Sequence, residues 1–249
     1  MKKTIYLLLF LILIFSCKKD ENIHIVYYNN GKIRLKIYPD INDPNKSVYE
    51  EFYNTGELKA VLHNVNGTFI DTGYYFYKNK VIKEKGLFKN NLIDGWWFYY
   101  DSLGSLKSKK EYVIIDNKSH LNQVINFDKN KDTIFDTSCY FKVYLPDTIK
   151  VGKNIGKIKY HSTIPSKDKS FFILIDNQIS DNETIKDTFI QEKSLTRFGI
   201  YAHKKGFKKV KGIILETNTE LKKGDSAHNS TLTIRRYKRY FEKDVYVIP

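Results

Sequence analysis

Residues 86–100 read GLFKNNLIDGWWFYY, and this stretch decides the fold because its pattern recurs along the first half of the 249-residue chain. An earlier copy, NGTFIDTGYYFY at 66–77, aligns with KNNLIDGWWFYY at 89–100. A second series of phrases, in which an aromatic residue enters a polar turn, repeats at intervals of roughly 24 residues. Its members are YYNNGKI (27–33), FYNTGEL (52–58), FYKNKVI (76–82), YYDSLGSL (99–106) and a degraded NFDKNKDTI (126–134).

The repeat predicts a series of β-hairpins. Asn-Asn-Gly at 29–31 and Asn-Thr-Gly at 54–56 supply residues that tolerate positive φ in tight turns. Aromatic and β-branched residues dominate between the turns, as they do in strands. We expect Gly73, Gly86 and Gly95 at strand edges, where a Cβ would collide with a neighbouring ring. Each hairpin is marginal alone, so the copies must stack to be stable.

Within 86–100, Phe88, Asn90, Gly95, Trp97 and Tyr100 stand at the positions of a MORN repeat, in the variant common in bacterial proteins sometimes labelled antitoxin components. The resemblance spans about residues 26–133. It implies an elongated, twisted antiparallel meander that acts as a scaffold or contact surface. No catalytic residue belongs to the motif.

Two adjacent tryptophans lie in the best copy of the repeat. Successive side chains of a strand point to opposite faces, so we expect one of Trp96 and Trp97 to be buried and the other partly exposed. The ordinary interpretation of this aromatic stripe is core packing. The alternative is a platform for a sugar ring or peptide, formed by the exposed tryptophan with Tyr75 or Tyr99.

From residue 134 to 249 the repeat is absent, and short apolar runs alternate with turn residues. Seven or eight strands without a helical period predict a β-sandwich, with the continuous apolar run at 171–175 as a buried central strand. Leu145-Pro146-Asp147-Thr148, Val151-Gly152 and the Tyr246-Val247 ending resemble Ig-like modules of Bacteroidetes lipoproteins. The sandwich is expected to cap the open edge of the meander.

The amino terminus has the pattern of an export signal. Lys2 and Lys3 precede an apolar run at 5–15 that is too short to remain as a membrane span, which predicts a signal peptide over 1–16. Ile14-Phe15-Ser16-Cys17 resembles the bacterial lipobox, which implies acylation of Cys17 and a membrane anchor. The alternative to a lipobox is an ordinary signal peptide that happens to contain a cysteine. In the tether at 17–25, KKDE at 18–21 resembles the signal that sends lipoproteins of Bacteroidetes to the outer face of the outer membrane.

Composition limits the chemistry. The formal charge is +14. Two cysteines exclude a disulfide scaffold, and once Cys17 is lipidated Cys139 is the sole thiol, expected as a small buried residue. The histidines show no metal-ligand spacing and no catalytic motif is present, so we expect no cofactor and a non-catalytic envelope protein that binds protein or glycan partners. The alternatives are an exported enzyme acting on polysaccharide or peptidoglycan, and a toxin-neutralising partner.

Two basic stretches, 203–211 and 235–240, interleave lysine or arginine with aromatic residues. A solvated strand face is the first interpretation, and attraction to anionic headgroups or polysaccharide is the second. Export argues against nucleic acid as a partner. Four Asp-Ser/Thr-apolar triplets resemble the O-glycosylation acceptor of Bacteroidetes, although strand-start turns favour the same residues. The acceptor positions would be Ser102, Thr133, Thr148 and Ser226.

Overall fold

The computed structural model describes residues 22–164, 169–190, 195–222 and 231–249. The predicted all-β class is confirmed, since the described residues form seventeen strands, one short 3-10 turn at Phe135–Thr137 and no α-helix. The signal peptide, Cys17 and the KKDE segment lie outside the described residues. Nothing helical in the described part of the chain has the length and apolarity needed to span a bilayer.

The chain divides into two compact units. Among the described residues, the first contains those up to Ile82 together with Phe88–Asn91, and the second contains Lys83–Leu87 and Leu92–Pro249.

Nine strands form one sheet, in which the strands are ordered as they follow one another in sequence. This is the antiparallel meander that the repeat predicts. Its strands are β1 His24–Tyr27, β2 Ile33–Pro39, β3 Ser47–Phe52, β4 Leu58–Val65, β5 Thr68–Phe76, β6 Ile82–Lys89, β7 Leu92–Tyr100, β8 Leu106–Ile115 and β9 Lys118–Asn126.

One turn geometry recurs five times in the meander. In each case the first residue donates its N–H to the carbonyl four residues later and accepts from the N–H three residues later. The fourth residue has positive φ, which glycine adopts at little cost. The turns begin at Tyr28, Tyr53, Tyr77, Asp101 and Asp128. The last two therefore begin one residue after the predicted aromatic positions, Tyr100 and Phe127.

The glycines of the repeat lie inside strands, so their predicted position at strand edges is wrong. A Cβ on Gly86 would come 2.3 Å from the Trp97 ring, and one on Gly73 would come 2.7 Å from Phe88. Both are therefore needed for close ring packing, as expected. Gly95 differs, because nothing lies within 4 Å of its Cβ position and its φ is +64°.

The remaining eight strands form two sheets, which confirms a β-sandwich. One sheet has the order β10-β12-β15 and the other β11-β17-β16-β13-β14. Among the described residues, fourteen buried hydrophobic side chains form one core between them, all but Leu145 on strands of the two sheets. The strands are β10 Tyr140–Tyr144, β11 Thr148–Lys150, β12 Gly152–His161, β13 Lys169–Gln178, β14 Thr184–Ile190, β15 Leu195–Ala202, β16 Gly206–Lys222 and β17 Thr231–Ile248.

Strand β13 contains the apolar run at 171–175, but only alternate residues are buried. Phe171, Ile173 and Ile175 face the core, while Phe172 and Leu174 are half-buried on the outer face. The run therefore belongs to a two-layer sandwich with one solvated face, rather than to a strand buried on both sides.

The sandwich covers the free edge of β9, as expected. Val124 and Cys139 exchange backbone hydrogen bonds of 2.8 Å. The buried Asn122 side chain accepts from the Tyr240 N–H at 2.7 Å and donates to the Tyr240 carbonyl at 2.8 Å. These bonds satisfy edge groups that would otherwise be open to pairing with another chain.

Candidate binding surface

The meander leaves most of its apolar side chains half-buried. Among the described residues of β1–β9, the buried hydrophobic side chains are Val48, Ala60 and Trp97. Rings and aliphatic side chains on both faces of the sheet therefore remain accessible. A broad sheet face with partly exposed aromatic rings is a surface suited to contact with a partner.

Trp96 and Trp97 lie on opposite faces of β7, and the prediction that one is buried is confirmed. Trp97 is 3% exposed, its ring packs over Gly86, and its Nε1–H donates to the Leu87 carbonyl at 3.2 Å. Trp96 is half-buried, and the ammonium of Lys109 lies 4.9 Å from its ring centroid. Trp96 is therefore the more accessible of the two tryptophans.

Tyr99 lies on the face of Trp97, opposite Trp96, because the two positions alternate along β7. Its hydroxyl lies 3.3 Å from that of Tyr112, and the Lys110 ammonium lies 4.7 Å from its ring centroid. Burial and the Tyr112 hydroxyl raise the pKa of Tyr99 well above its usual range. The structure thus does not bring Trp96 and Tyr99 together into one platform.

Tyr75, the fourth predicted surface residue, belongs to the first compact unit. It lies in β5, its backbone pairs with Ala60, and its side chain is half-buried.

Lysine ammonium groups cover further rings of the meander. Lys36 lies 4.7 Å from the Tyr38 ring centroid and Lys78 lies 5.7 Å from that of Tyr53. The Tyr38 hydroxyl donates to Glu50 at 2.9 Å, and burial together with this carboxylate raises the pKa of Tyr38 to about 12. We call Tyr38, Tyr53, Trp96 and Tyr99 the capped rings. Each presents an ammonium above a π-face, an arrangement worth about 0.5–1 kcal/mol at exposed sites.

The sequence analysis did not predict a series of tyrosine hydrogen bonds in the first unit, which we call the tyrosine ladder. The Tyr28 hydroxyl donates to the Phe52 carbonyl at 2.7 Å, and the Tyr53 hydroxyl donates to the Phe76 carbonyl at 2.7 Å. Each of these turn-entering tyrosines thus bonds to the residue just before the next one. The regular spacing of the tyrosines was the signal that could have predicted the ladder.

The positive charges of the basic stretch at 203–211 are largely paired with carboxylates of other segments. Asp181 contacts both Lys204 and His203, and these two neighbours hold the pKa of Asp181 below its usual range. Lys209 lies 3.1 Å from Asp244 and 3.3 Å from Glu242. This pairing favours the solvated-face interpretation. A cavity of about 350 Å³ adjoins the stretch, where burial lowers the pKa of Lys208.

Two arginines of the second basic stretch, at 235–240, lie in different environments. Arg235 lies 3.8 Å from Glu220 at the surface, whereas the Arg239 guanidinium reaches the Cys139 sulfur at 3.7 Å. Cys139 is partly exposed, so its predicted burial is wrong.

The predicted glycan acceptors lie in different settings. Ser102 and Thr148 are exposed and Thr133 is half-buried, while Ser226 lies outside the described residues. No cluster of three or more His, Cys, Asp or Glu side chains that could hold a metal ion occurs in the described part of the chain.

Comparisons with known proteins do not assign this chain to a family. No family model and no curated protein matches this chain. Among solved structures, it is similar to a mutant of S. aureus TarM in complex with Fondaparinux, alpha-GlcNAc-glycerol and UDP, with 10% identity and a TM-score of 0.21. The alignment covers 49% of this chain and 23% of that one. A similarity at this score supports no conclusion about function.

Proposed function

We propose that this chain is a lipid-anchored protein of the bacterial cell envelope, held at the outer membrane by Cys17, and that its folded part presents a non-catalytic surface to protein or glycan partners. The observation that carries the proposal is the capped ring of Trp96, on a strand whose side chains stay mostly half-buried. Such rings make contact area available without a catalytic group.

The capped rings also indicate what a partner must offer. A group that stacks on Trp96 meets the Lys109 ammonium 4.9 Å from the ring centroid. A partner that carries a carboxylate or phosphate beside an apolar or sugar face would pair with the ammonium while it covers the ring. We therefore expect acidic proteins or acidic glycans to bind better than neutral ones.

The anchor is tested by cell fractionation. The wild-type chain should sediment with membranes, and Cys17→Ala should release it, because two or more acyl chains give stable attachment and the apolar run at 5–15 is too short to replace them. Unchanged sedimentation of Cys17→Ala would refute the anchor.

The surface is tested independently, by binding of the labelled Cys17→Ala chain to isolated cell envelopes. Trp96→Ala and Lys109→Ala should each raise the apparent Kd about tenfold, as expected for a central aromatic contact and its charged neighbour. Leu103→Ala is the matched control, because Leu103 lies in a turn and is 89% exposed. Equal binding by all four chains would refute the surface and leave the anchor untouched.

A further inference from the structure

A group of polar side chains on the core side of the sandwich has no part in the proposed surface. It consists of Cys139 just before β10, Tyr160 on β12, Glu216 and Asn218 on β16, and Arg239 on β17. The fold brings Cys139, Tyr160, Glu216 and Arg239 into contact, since up to 100 residues separate the partners of a single contact among them, and Asn218 lies two residues from Glu216 on β16.

A chain of hydrogen bonds connects the thiol to a buried carboxylate. The Cys139 sulfur lies 3.4 Å from the Tyr160 hydroxyl, which donates to Glu216 Oε2 at 2.8 Å. Burial, followed by the neighbouring thiol and carboxyl, raises the pKa of Tyr160 far above its usual range, so the phenol keeps its proton. The phenol is therefore placed to pass a proton between sulfur and carboxylate.

A cation lies on the other side of the sulfur. Arg239 Nη2 donates to the Cys139 sulfur at 3.7 Å. A positive charge beside a cysteine favours the thiolate, which is the reactive form. Tyr160 and Arg239 are the titratable or charged groups that contact the sulfur among the described residues, and Glu216 is one hydrogen bond further away.

Several side chains of this group carry unpartnered polar atoms. Within the described ranges, four buried side-chain nitrogen or oxygen atoms lack a hydrogen-bond partner, and Glu216 Oε1, Asn218 Oδ1 and Arg239 Nε are three of them. Glu216 is only 1% exposed. Because an unpaired buried polar group costs about 1–3 kcal/mol, the open Glu216 Oε1 acceptor and the open Arg239 Nε donor point to a small polar ligand with an O–H group.

These side chains lie on one face of the sheet. Glu216 and Asn218 are two residues apart on β16, so they point the same way. Arg239 pairs with Ile214, which is fully buried in the sandwich core, so Arg239 shares that face. Cys139 is partly exposed, so the residue is not sealed off from solvent.

We propose that Cys139 is a redox modification site whose thiol is oxidised by a hydroperoxide to a sulfenic acid. The thiol proton passes through Tyr160 to Glu216, and the sulfur attacks the terminal oxygen of the hydroperoxide. The O–O bond breaks, an S–OH group forms, and the departing alkoxide takes the proton from Glu216 to leave as an alcohol, or as water when the oxidant is hydrogen peroxide. The sulfur loses two electrons and the hydroperoxide gains them.

The test uses the chain with Cys17→Ala, in which Cys139 is the only thiol. Hydrogen peroxide is added and the sulfenic acid is trapped with dimedone, with its formation rate followed by mass spectrometry across a pH range. We expect trapping at Cys139 about five-fold or more faster than in the same chain unfolded in urea. Tyr160→Phe and Glu216→Gln should remove most of that advantage and change the pH dependence of the rate, because the proton path from the thiol is interrupted.

The matched control is Glu220→Gln on the same strand, since Glu220 is exposed and pairs only loosely with Arg235 at 3.8 Å. It should leave both rate and pH profile unchanged. Circular dichroism identifies any variant that fails to fold, and the nearly isosteric Glu216→Gln keeps the test decisive if Tyr160→Phe is one of them. Trapping no faster in the folded than in the unfolded chain, or equal pH profiles for wild type and Glu216→Gln, would overturn the proposal.

Discussion

The meander and the sandwich are both β-sheet structures, yet they are stabilised in different ways. In the sandwich, fourteen buried hydrophobic side chains among the described residues form one core between two facing sheets. In the meander, three hydrophobic side chains are buried among the described residues, and repeated turns, tyrosine hydrogen bonds and glycine–ring contacts recur instead. The repeat therefore relies on local, repeated contacts for stability, and most side chains on its sheet faces stay half-buried.

The largest expected effect is loss of a core side chain in the sandwich. Ile173 is fully buried, so Ile173→Ala should lower the free energy of unfolding by about 3 kcal/mol, through lost transfer energy and a residual cavity. Ile155→Ala, at a position that is 65% exposed in the same sandwich, is the control and should cost under about 0.5 kcal/mol. Urea unfolding monitors both, and equal losses would contradict a core-dependent sandwich.

The second effect is steric and lies in the repeat. Gly86→Ala places a Cβ 2.3 Å from the Trp97 ring, and such overpacking should cost about 2 kcal/mol. If the clash is the cause, Trp97→Leu should destabilise the Gly86→Ala variant far less than it destabilises the wild-type chain. Thermal unfolding of the two single variants and the double variant measures this coupling, and simple additivity would count against the glycine–ring contact.

The tyrosine ladder should contribute less per bond. Tyr53→Phe removes the hydroxyl that donates to the Phe76 carbonyl and should destabilise the first unit by about 1 kcal/mol. Tyr27→Phe, at a tyrosine that is 57% exposed, should have no measurable effect. A difference between the two denaturant midpoints below experimental error would show that the ladder accompanies the repeat without stabilising it.

The smallest expected effect lies in the turn series, and it is a gain in stability rather than a loss. Lys80 has φ +68° at the position that Gly31 and Gly56 occupy in the earlier turns. Lys80→Gly removes the Cβ strain but adds freedom to the unfolded chain, so a net gain of about 0.5 kcal/mol is expected. Gly56→Ala should cost about 1 kcal/mol at the equivalent turn position. A melting temperature that falls with Lys80→Gly would show that these turns are not equivalent.

The sequence predicted what depends on local periodicity. Two sequence periods were enough for this. Alternation every two residues predicts strands and the opposite orientation of Trp96 and Trp97, and the repeat of about twenty-four residues predicts the series of hairpins. The glycines were misplaced because the pattern showed that a ring lies nearby, and not that the ring crosses the middle of the strand.

What the sequence could not predict depends on contacts between distant segments. The basic stretch at 203–211 is compensated by Asp181, Glu242 and Asp244, which no local pattern assigns to it. The surroundings of Cys139 likewise come from β12, β16 and β17, so the thiol could be judged only by its neighbours in sequence. Trp96 and Tyr99 were grouped because they are close in sequence, although alternation along β7 separates them.

Photo-crosslinking in living cells tests most directly whether the meander, rather than the sandwich, is the binding region. A benzoylphenylalanine is placed at position 96 in the meander in one strain and at the exposed position 155 in the sandwich in another, and the adducts are identified by mass spectrometry. The predicted result is a protein or glycan adduct from position 96 and none from position 155. Adducts from position 155 alone, or none from position 96, would contradict a binding meander.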